Sequence, residues 1–204
     1  RDLECDHFRG PGSSPVIFDD LVFLSFDGID VQYLTALDKN TGKTLWRTDR
    51  STDFGKLDGD HRKAYTTPTI IEVDGRPQLI STGAEASFAY DPRTGKELWG
   101  FRMPGYSNVS RPLFVDGLVL LNSGFGKATL WAVRPNGSGD VTDTHVVWKL
   151  SKSVPCKPTP VIVDGLVYMV DDKGVGSCVE AASGELVWRE RISGDHSASP
   201  VYVD

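Results

Sequence analysis

The chain has 204 residues, of which 39% are apolar and 25% charged, a composition ordinary for one large globular domain or two small ones. No apolar run reaches the roughly 18 residues that a membrane-spanning helix needs, and the first residues lack the pattern of a signal peptide. The net charge of −6 comes from interspersed acidic and basic residues, which disfavours a nucleic-acid partner. The opening residues read like the interior of a longer protein.

Four segments along the chain end in a tryptophan that follows a polar turn, and this recurrence predicts a structural repeat. In chain order they span residues 36–46, 89–99, 132–148 and 179–188, the third with an inserted loop at 136–139. A dipeptide that ends in proline precedes each segment, and a further such dipeptide lies near the end of the chain. These pairs are Ser14-Pro15, Thr67-Pro68, Arg111-Pro112, Thr159-Pro160 and Ser199-Pro200.

Short apolar strands joined by tight turns fill each repeat. Asp74-Gly75, Asp116-Gly117 and Asp164-Gly165 each separate two apolar runs, which is a strong hairpin signal because glycine accepts a positive φ. No segment shows sustained helical periodicity. We therefore predict an all-β fold, a β-propeller in which each repeat is one four-stranded antiparallel blade stacked on its neighbours. A single propeller region is expected over residues 1–204, with blades at about 13–50, 66–103, 110–150 and 158–192 and the first strand of a further blade at 197–204.

The turn before each tryptophan has a local physical reason. Asp38 and Asp91 can accept hydrogen bonds from amides two and three residues further on, which fixes the bend. The turn glycine takes the position that needs a positive φ, and the tryptophan ends the outer strand and packs over an adjacent blade. The predicted structural residues are Asp38, Gly42, Trp46, Asp91, Gly95, Trp99, Trp148, Gly184 and Trp188.

The pattern Ala-x-Asp-x-x-Thr-Gly-x-x-x-Trp at 36–46 resembles the repeat of the quinoprotein-type (PQQ-like) β-propeller family, and the resemblance covers about residues 13–204. That family includes pyrroloquinoline-quinone (PQQ) alcohol dehydrogenases and a non-enzymatic branch with the propeller lipoprotein of the outer-membrane β-barrel assembly machinery, which this chain resembles. The resemblance implies a ring of seven or eight blades. About four blades and a surplus strand at 198–203 would then form half a ring, able to self-associate through its open blade faces. The alternative is a closed four-bladed ring.

The resemblance also implies how a cofactor would be held, with the quinone between a tryptophan and an adjacent cysteine pair and calcium on acidic and amide side chains. Cys5, Cys156 and Cys178 are far apart and include no adjacent pair, which disfavours PQQ. The acidic segments 27–30 and 171–174 lack the spacing of a calcium loop and are interpreted as turns. No cofactor and no metal site is predicted, and PQQ with calcium is the disfavoured alternative.

Polar loops that connect the last strand of one blade to the first strand of the next are expected at the mouth of the central channel. Three histidines in these loops directly follow an aspartate, whose charge could raise the histidine pKa or fix its tautomer. The predicted binding residues are His7, Arg9, His61, Arg62, Arg111, Lys157 and His196. The alternative is that these loops are polar only because they are exposed to solvent. No catalytic residue is predicted, because no nucleophile or phosphate-binding motif is found.

These observations favour a non-catalytic propeller domain that serves as a scaffold for a protein, peptide or ligand. By resemblance it is expected in the periplasm or outside the cell of a bacterium. One alternative is a fragment of a PQQ- and calcium-dependent dehydrogenase whose site lies elsewhere. Another is the sensor ectodomain of a signalling protein.

Overall fold

The computed structural model describes residues 5–203 and consists of four β-sheets, each built on four antiparallel strands, with a fifth, parallel strand added to one of them. Blade 1 contains β1 (Val16–Phe18), β2 (Leu21–Asp27), β3 (Gln32–Asp38) and β4 (Thr44–Asp49). Blade 2 contains β5 (Thr69–Val73), β6 (Arg76–Thr82), β7 (Ala86–Tyr90) and β8 (Glu97–Arg102). Blade 3 contains β9 (Leu113–Val115), β10 (Leu118–Asn122), β11 (Leu130–Val133) and β13 (Val146–Leu150), with β12 (Gly139–Asp140) inserted before β13. Blade 4 contains β14 (Val161–Val163), β15 (Leu166–Val170), β16 (Val175–Glu180) and β17 (Leu186–Arg191).

The predicted all-β fold of four-stranded antiparallel sheets is confirmed. Within residues 5–203 the only helix is a 3₁₀ turn at Gly59–Arg62, so no described helix is long enough to cross a membrane. The first four residues of the predicted propeller region and the last residue of the predicted strand 197–204 lie outside the described residues.

Side chains on the two faces of each middle sheet pack against different neighbours. In β7, Phe88 and Tyr90 join a core cluster with Phe23 and Leu34 of blade 1, whereas Ala89 faces a cluster shared with blade 3. A third cluster joins blades 3 and 4. Successive strand residues point to opposite faces, so a strand covered on both sides is apolar at most positions. The strands β7 and β10 are accordingly buried throughout.

The three Asp-Gly pairs form the predicted hairpins between the first two strands of blades 2, 3 and 4. Each aspartate has a φ of 50°, and each following glycine has a φ between 71° and 74°. Positive φ at both central residues is the geometry of a type I′ turn, whose twist matches that of the flanking strands. This turn fixes the register in which the apolar residues of both strands reach the same face.

Two repeat tryptophans dock beneath the turn glycine of the next blade. The Trp46 indole N–H donates to the carbonyl of Pro92 at 3.0 Å, and the Trp148 indole N–H donates to the carbonyl of Ala181 at 2.9 Å. A Cβ added at Gly95 would lie 2.5 Å from the ring of Trp46, and Gly184 meets the ring of Trp148 in the same way. These turns therefore require glycine both for its positive φ and for the approach of the indole. The prediction that the tryptophan packs over an adjacent blade is confirmed here.

Trp99 reaches the next blade through a side-chain amide. Its indole N–H donates to Oε1 of Gln78 at 3.0 Å, and Nε2 of Gln78 donates to the carbonyl of Pro135 at 3.1 Å. Gln78 thus links Trp99 of blade 2 to blade 3, although the turn of blade 3 is interrupted by an insertion. In blade 4, which has no following blade among the described residues, Trp188 is 39% exposed.

The insertion of blade 3 extends over blade 2. Its short strand β12 pairs in parallel with β8, with Gly139 opposite Trp99, and gives the second sheet a fifth strand. Val141 follows β12 and is buried in the core cluster between blades 2 and 3. The edge of β8 is therefore partly covered, which the sequence did not predict.

Hydrogen bonds between the starts of the first strands connect neighbouring blades. The residue before the blade proline donates its amide to a hydroxyl at the matching place in the next blade: Ser14 to Thr67, Arg111 to Thr159 and Thr159 to Ser199. Ser199 thus takes the place that Thr159 has in blade 4. Residues 198–203 form no strand, since a first strand needs a second one beside it for its ladder. That they begin a further blade stays a prediction.

Candidate functional site

One end of the sheet stack collects the loops that the sequence analysis singled out. In a four-stranded meander, the turn between the second and third strands lies at the same end as the connection to the next blade. We call this end the mouth face. It consists of the inter-strand turns 28–31, 83–85, 123–129 and 171–174 and the inter-blade connections 50–66, 103–112, 151–160 and 192–199, together with the segment 5–14 before blade 1.

The turns and connections of the mouth face are held together by backbone hydrogen bonds. Ile29 donates its amide to the carbonyl of Asp6 at 2.8 Å, and Met103 donates to the carbonyl of Glu85 at 2.9 Å. Asn108 is fully buried; its Nδ2 donates to the carbonyl of Gly83 at 2.7 Å. Because the polar backbone of these loops is satisfied internally, the face is a preorganised surface rather than a set of separate loops.

A buried ion pair anchors blade 1 to blade 2 at this end. Nη2 of Arg50 lies 2.8 Å from Oδ2 of Asp27 and also donates to Oγ of Ser81 in blade 2, and both charged side chains are almost completely buried. Gly83 passes so close that a Cβ there would lie 2.9 Å from Arg50. The carboxylate of Asp27 is thus already neutralised, and the turn 27–30 has a structural role, as its interpretation as a turn requires.

His7 is buried and packs its ring 5.4 Å from that of Tyr65. Its Nδ1 has no hydrogen-bond partner, and its carbonyl accepts from Nζ of the buried Lys63 at 3.4 Å. Loss of solvent lowers the pKa of His7, and the positive charge of Lys63 acts in the same direction. The expectation that the preceding aspartate raises the histidine pKa is therefore wrong for His7, because burial outweighs the nearby carboxylates.

Aromatic rings line the mouth face beside His61. The ring of His61 lies 4.3 Å from that of Tyr106, which in turn lies 6.2 Å from Phe125. Phe125 is 43% exposed, and a cavity of about 380 Å³ opens between these residues, Trp131 and Lys127. Arg62 lies over the ring of Phe54 and donates to Gln32 at 3.3 Å. This part of the face combines exposed aromatic surface with cations.

The other predicted binding residues lie in two further places. Lys157 forms an ion pair with Asp172 at 3.1 Å, and His196 donates its amide to the carbonyl of the same aspartate. Arg111 donates from Nε to Oγ1 of Thr69 at 2.8 Å, which ties it to the first strand of blade 2. Arg9 is exposed beside Phe8. In the described chain, no hydrogen bond, ion pair or ring contact joins the Asp172 group to the rings around His61.

Sequence reasoning missed Tyr106 and Phe125 as members of this surface and did not predict that Lys63 is buried. Tyr106 and Phe125 could have been found because each is an aromatic residue inside a glycine-containing loop, where no core is available to bury it. The burial of Lys63 could not have been predicted, since a lysine in a polar loop gives no sign that it will be buried.

The described residues do not fit the quinone as the PQQ-dependent relatives are expected to hold it. The three cysteines are free thiols, with Cys5 and Cys156 in separate loops and Cys178 in β16. Burial, together with the charges of Asp30 and Asp27, raises the pKa of Cys5 to about 11, so its thiol is protonated near neutral pH. No group of three His, Cys, Asp or Glu side chains suited to a metal ion is found among residues 5–203.

The stacked four-stranded sheets place the protein in the class of β-propellers. The crystal structure of BamB from Moraxella catarrhalis matches 92% of this chain and 54% of its own, with a TM-score of 0.66 and 15% sequence identity. Quinohemoprotein alcohol dehydrogenase from Comamonas testosteroni gives the same TM-score and identity over 96% of this chain and 36% of its own. At these identities the likeness shows the fold alone.

The family follows from the sequence. The family model described as outer membrane protein assembly factor BamB matches residues 30–158 and 139–204, and the chain belongs to this family of PQQ-like β-propellers. Outer membrane protein assembly factor BamB of Yersinia pestis is 25% identical over 83% of this chain. The 1-butanol dehydrogenase (quinone) of Thauera butanivorans is 33% identical over 59% of this chain and 19% of its own length. The chain spans less than half the length of the curated relatives it matches.

Proposed function

We propose that this chain is part of a non-catalytic scaffold that binds another protein through the mouth face. The observation that supports this proposal is the exposed aromatic and cationic surface of that face, which is not buried in the core of the fold. Phe125 and Phe8 are 43% and 82% exposed there, beside Tyr106, His61 and Arg9. Aromatic residues and arginine are the side chains that most often carry binding energy at protein interfaces.

The family supports this function and suggests where it takes place. Relatives in the family are named as outer membrane protein assembly factors, which fits a scaffold that works on another protein. The proposal therefore places the parent protein of this chain in the periplasm or outside the cell, with a protein or peptide partner and no cofactor.

In-cell photo-crosslinking tests the proposal. A photoreactive phenylalanine analogue is placed at Phe125 or at Tyr106, and in a control at Leu45, which is 49% exposed on the outer strand β4. We expect discrete adducts with one or a few proteins from the two mouth-face positions and none of them from Leu45. A mouth face without adducts, or the same adducts from all three positions, would contradict the proposal.

A quinone-dependent dehydrogenase is the second candidate, favoured by the identity of 33% to the Thauera butanivorans enzyme. The scattered free cysteines argue against it. The discriminating experiment adds PQQ and calcium to the purified parent protein and measures alcohol-dependent dye reduction. A rate above that of the cofactors alone would favour the enzyme, and no rate would favour the scaffold.

A further inference from the structure

The residue after the repeat tryptophan is basic in blades 1, 3 and 4 and is glycine in blade 2. Arg47, Lys149 and Arg189 follow Trp46, Trp148 and Trp188, whereas Gly100 follows Trp99. All four stand opposite a residue of the third strand in the same register: Thr35, Trp131, Ser177 and Phe88. Blade 2 alone therefore lacks a cationic side chain at this place on the outer part of its sheet.

In blades 1 and 4 the basic side chain covers its own sheet. Arg47 lies 3.7 Å from the ring centroid of Tyr33. Arg189 extends across the third strand, with Nε 3.4 Å from Oγ of Ser177 and Nη2 3.4 Å from the carbonyl of Lys152. Lys152 begins the connection that precedes blade 4. In blade 4 the cation thus fills the space between the outer strand and the preceding connection.

In blade 2 the same space is an open cavity of about 720 Å³. Residues 51–53, in the connection preceding blade 2, form one wall of this cavity. Leu57, which is 39% exposed, contributes apolar surface, whereas the rings of Phe88 and Phe101 are almost completely buried behind the lining. A Cβ at Gly100 would lie 3.2 Å from the ring of Phe88, so the glycine lets this ring pack against the strand.

Carboxylates surround this cavity. They are Asp53, Glu85, Glu97, Asp140 and Asp143, and the one basic residue of the lining is Arg102. Arg102 pairs with Asp140 at 3.0 Å and approaches Asp143 at 3.9 Å.

Three of the carboxylates accept hydrogen bonds from neutral donors. Asp53 accepts from the amide of Gly55, Glu85 from the amide of Gly105, and Glu97 from the hydroxyl of Ser51. None of the three forms an ion pair with another described residue of the chain. The cavity therefore has a surplus of negative charge beside exposed apolar surface, which complements a cation on an alkyl stem.

We propose that this cavity binds an arginine or lysine side chain of a polypeptide partner, in the place that Arg189 fills in blade 4. The guanidinium or ammonium group pairs with Glu97 and Asp53, while its alkyl stem contacts Leu57. This inference rests on the proposed scaffold function and adds a chemically defined pocket to it, whose lining includes residues 51–53, Leu57, Glu85 and Pro104 of the mouth face. The rings around His61 supply aromatic contacts, and the cavity selects a basic segment of the partner.

A titration with defined peptides tests the inference. The probe is an acetylated and amidated peptide, Gly-Ser-Arg-Gly-Arg-Ser-Gly, and its control replaces both arginines by the neutral isostere citrulline. Chemical shifts of the backbone amides of the ¹⁵N-labelled chain are followed at low salt, where screening is weak. We expect saturable shifts at Gly100 and Phe88 with the arginine peptide and none with the citrulline peptide.

Charge variants separate the cavity from general attraction to an acidic protein. Glu97→Gln with Asp53→Asn removes two charges from the cavity. The control, Glu185→Gln with Asp164→Asn, removes two charges from blade 4 at the end away from the mouth face. Asparagine tolerates the positive φ of residue Asp164. The first pair should weaken binding about fivefold to tenfold and the second less than about twofold.

Three results would overturn the inference: equal weakening by both pairs, shifts that avoid Gly100, or no saturable binding. None of these results would bear on the scaffold function itself, which the crosslinking experiment at Phe125 and Tyr106 tests.

Discussion

At the scale of the residue, a glycine in the turn before the outer strand meets two different demands. Gly42, Gly95 and Gly184 all have a φ near +70°. A Cβ at Gly95 or Gly184 would also collide with a tryptophan ring of the preceding blade, whereas no described heavy atom lies within 4 Å of a Cβ at Gly42. The three positions therefore separate the backbone requirement from the packing requirement within one chain.

Alanine at these positions should give two sizes of effect. Gly42→Ala should lower the free energy of unfolding by about 1 kcal/mol, because only the left-handed backbone is disfavoured. Gly95→Ala and Gly184→Ala should lower it by about 2–4 kcal/mol, because the Cβ also displaces Trp46 or Trp148. Urea unfolding measures the differences. Equal losses at all three positions would show that the tryptophans do not dock beneath these glycines.

The buried His7 should make the protein sensitive to acid. Burial lowers the pKa of His7 in the folded state, so the unfolded chain binds a proton first as the pH falls. The contribution of His7 to stability is complete above the unfolded-state pKa and is lost as the pH falls through that value toward the folded-state one. The free energy of unfolding should therefore drop less between about pH 7 and about pH 5 in His7→Gln than in the unaltered protein. An equal or larger drop would contradict the burial of the ring.

The sequence could predict the turn glycines and the docking tryptophans because local chemistry decides them. Asp38 accepts hydrogen bonds from the amides of residues 40 and 41, as its position in the motif predicts. The direction of the pKa shift of His7 could not be predicted, since it depends on burial by residues distant in the chain. For the same reason, the sequence could not show that Gln78 carries the contact of Trp99 to the next blade.

At the scale of the element, the insertion of blade 3 does more than lengthen a turn. Its strand β12 pairs with β8, and Val141 then enters the core between blades 2 and 3. Two ladder residues alone would contribute little, so burial of Val141 adds to the Arg102–Asp140 ion pair and to the hydrogen bond from the Arg102 amide to Thr142 in holding the insertion on the neighbouring blade.

Truncating Val141 should therefore destabilise the junction of blades 2 and 3. Val141→Ala removes two buried methyl groups and leaves a cavity, which should cost about 1–3 kcal/mol of unfolding free energy. The control is Val147→Ala on the exposed side of β13, where the cost should stay below about 0.5 kcal/mol. Chemical denaturation compares the two variants, and similar costs would show that the insertion is not packed.

Most strands were predictable because Asp-Gly turns and alternating apolar residues mark both their ends and their faces. The short strand β12 was not, because Gly139 and Asp140 carry no apolar pattern and pair with a different blade. The cavity at Gly100 could not be predicted from the sequence either. The glycine stands in an ordinary strand position, and its neighbours Asp53 and Glu85 come from other parts of the chain.

At the scale of the whole molecule, the four blades stack in chain order with a core cluster at each of the three junctions. No core cluster of the described residues joins blade 4 back to blade 1, which favours an open row of blades over a closed four-bladed ring. Leu186, Val187 and Trp188 of β17 are accordingly exposed. Whether further blades or a second copy cover these residues stays a prediction.

Hydrogen exchange followed residue by residue tests this open stack most directly. Blades 2 and 3 are covered on both faces, so the amides of β7 and β10 should exchange only through global unfolding. The amides of β17 should exchange much faster, because its side chains are exposed and the sheet is covered on one face. Protection of β17 equal to that of β7 and β10 would contradict the open stack and favour a closed ring.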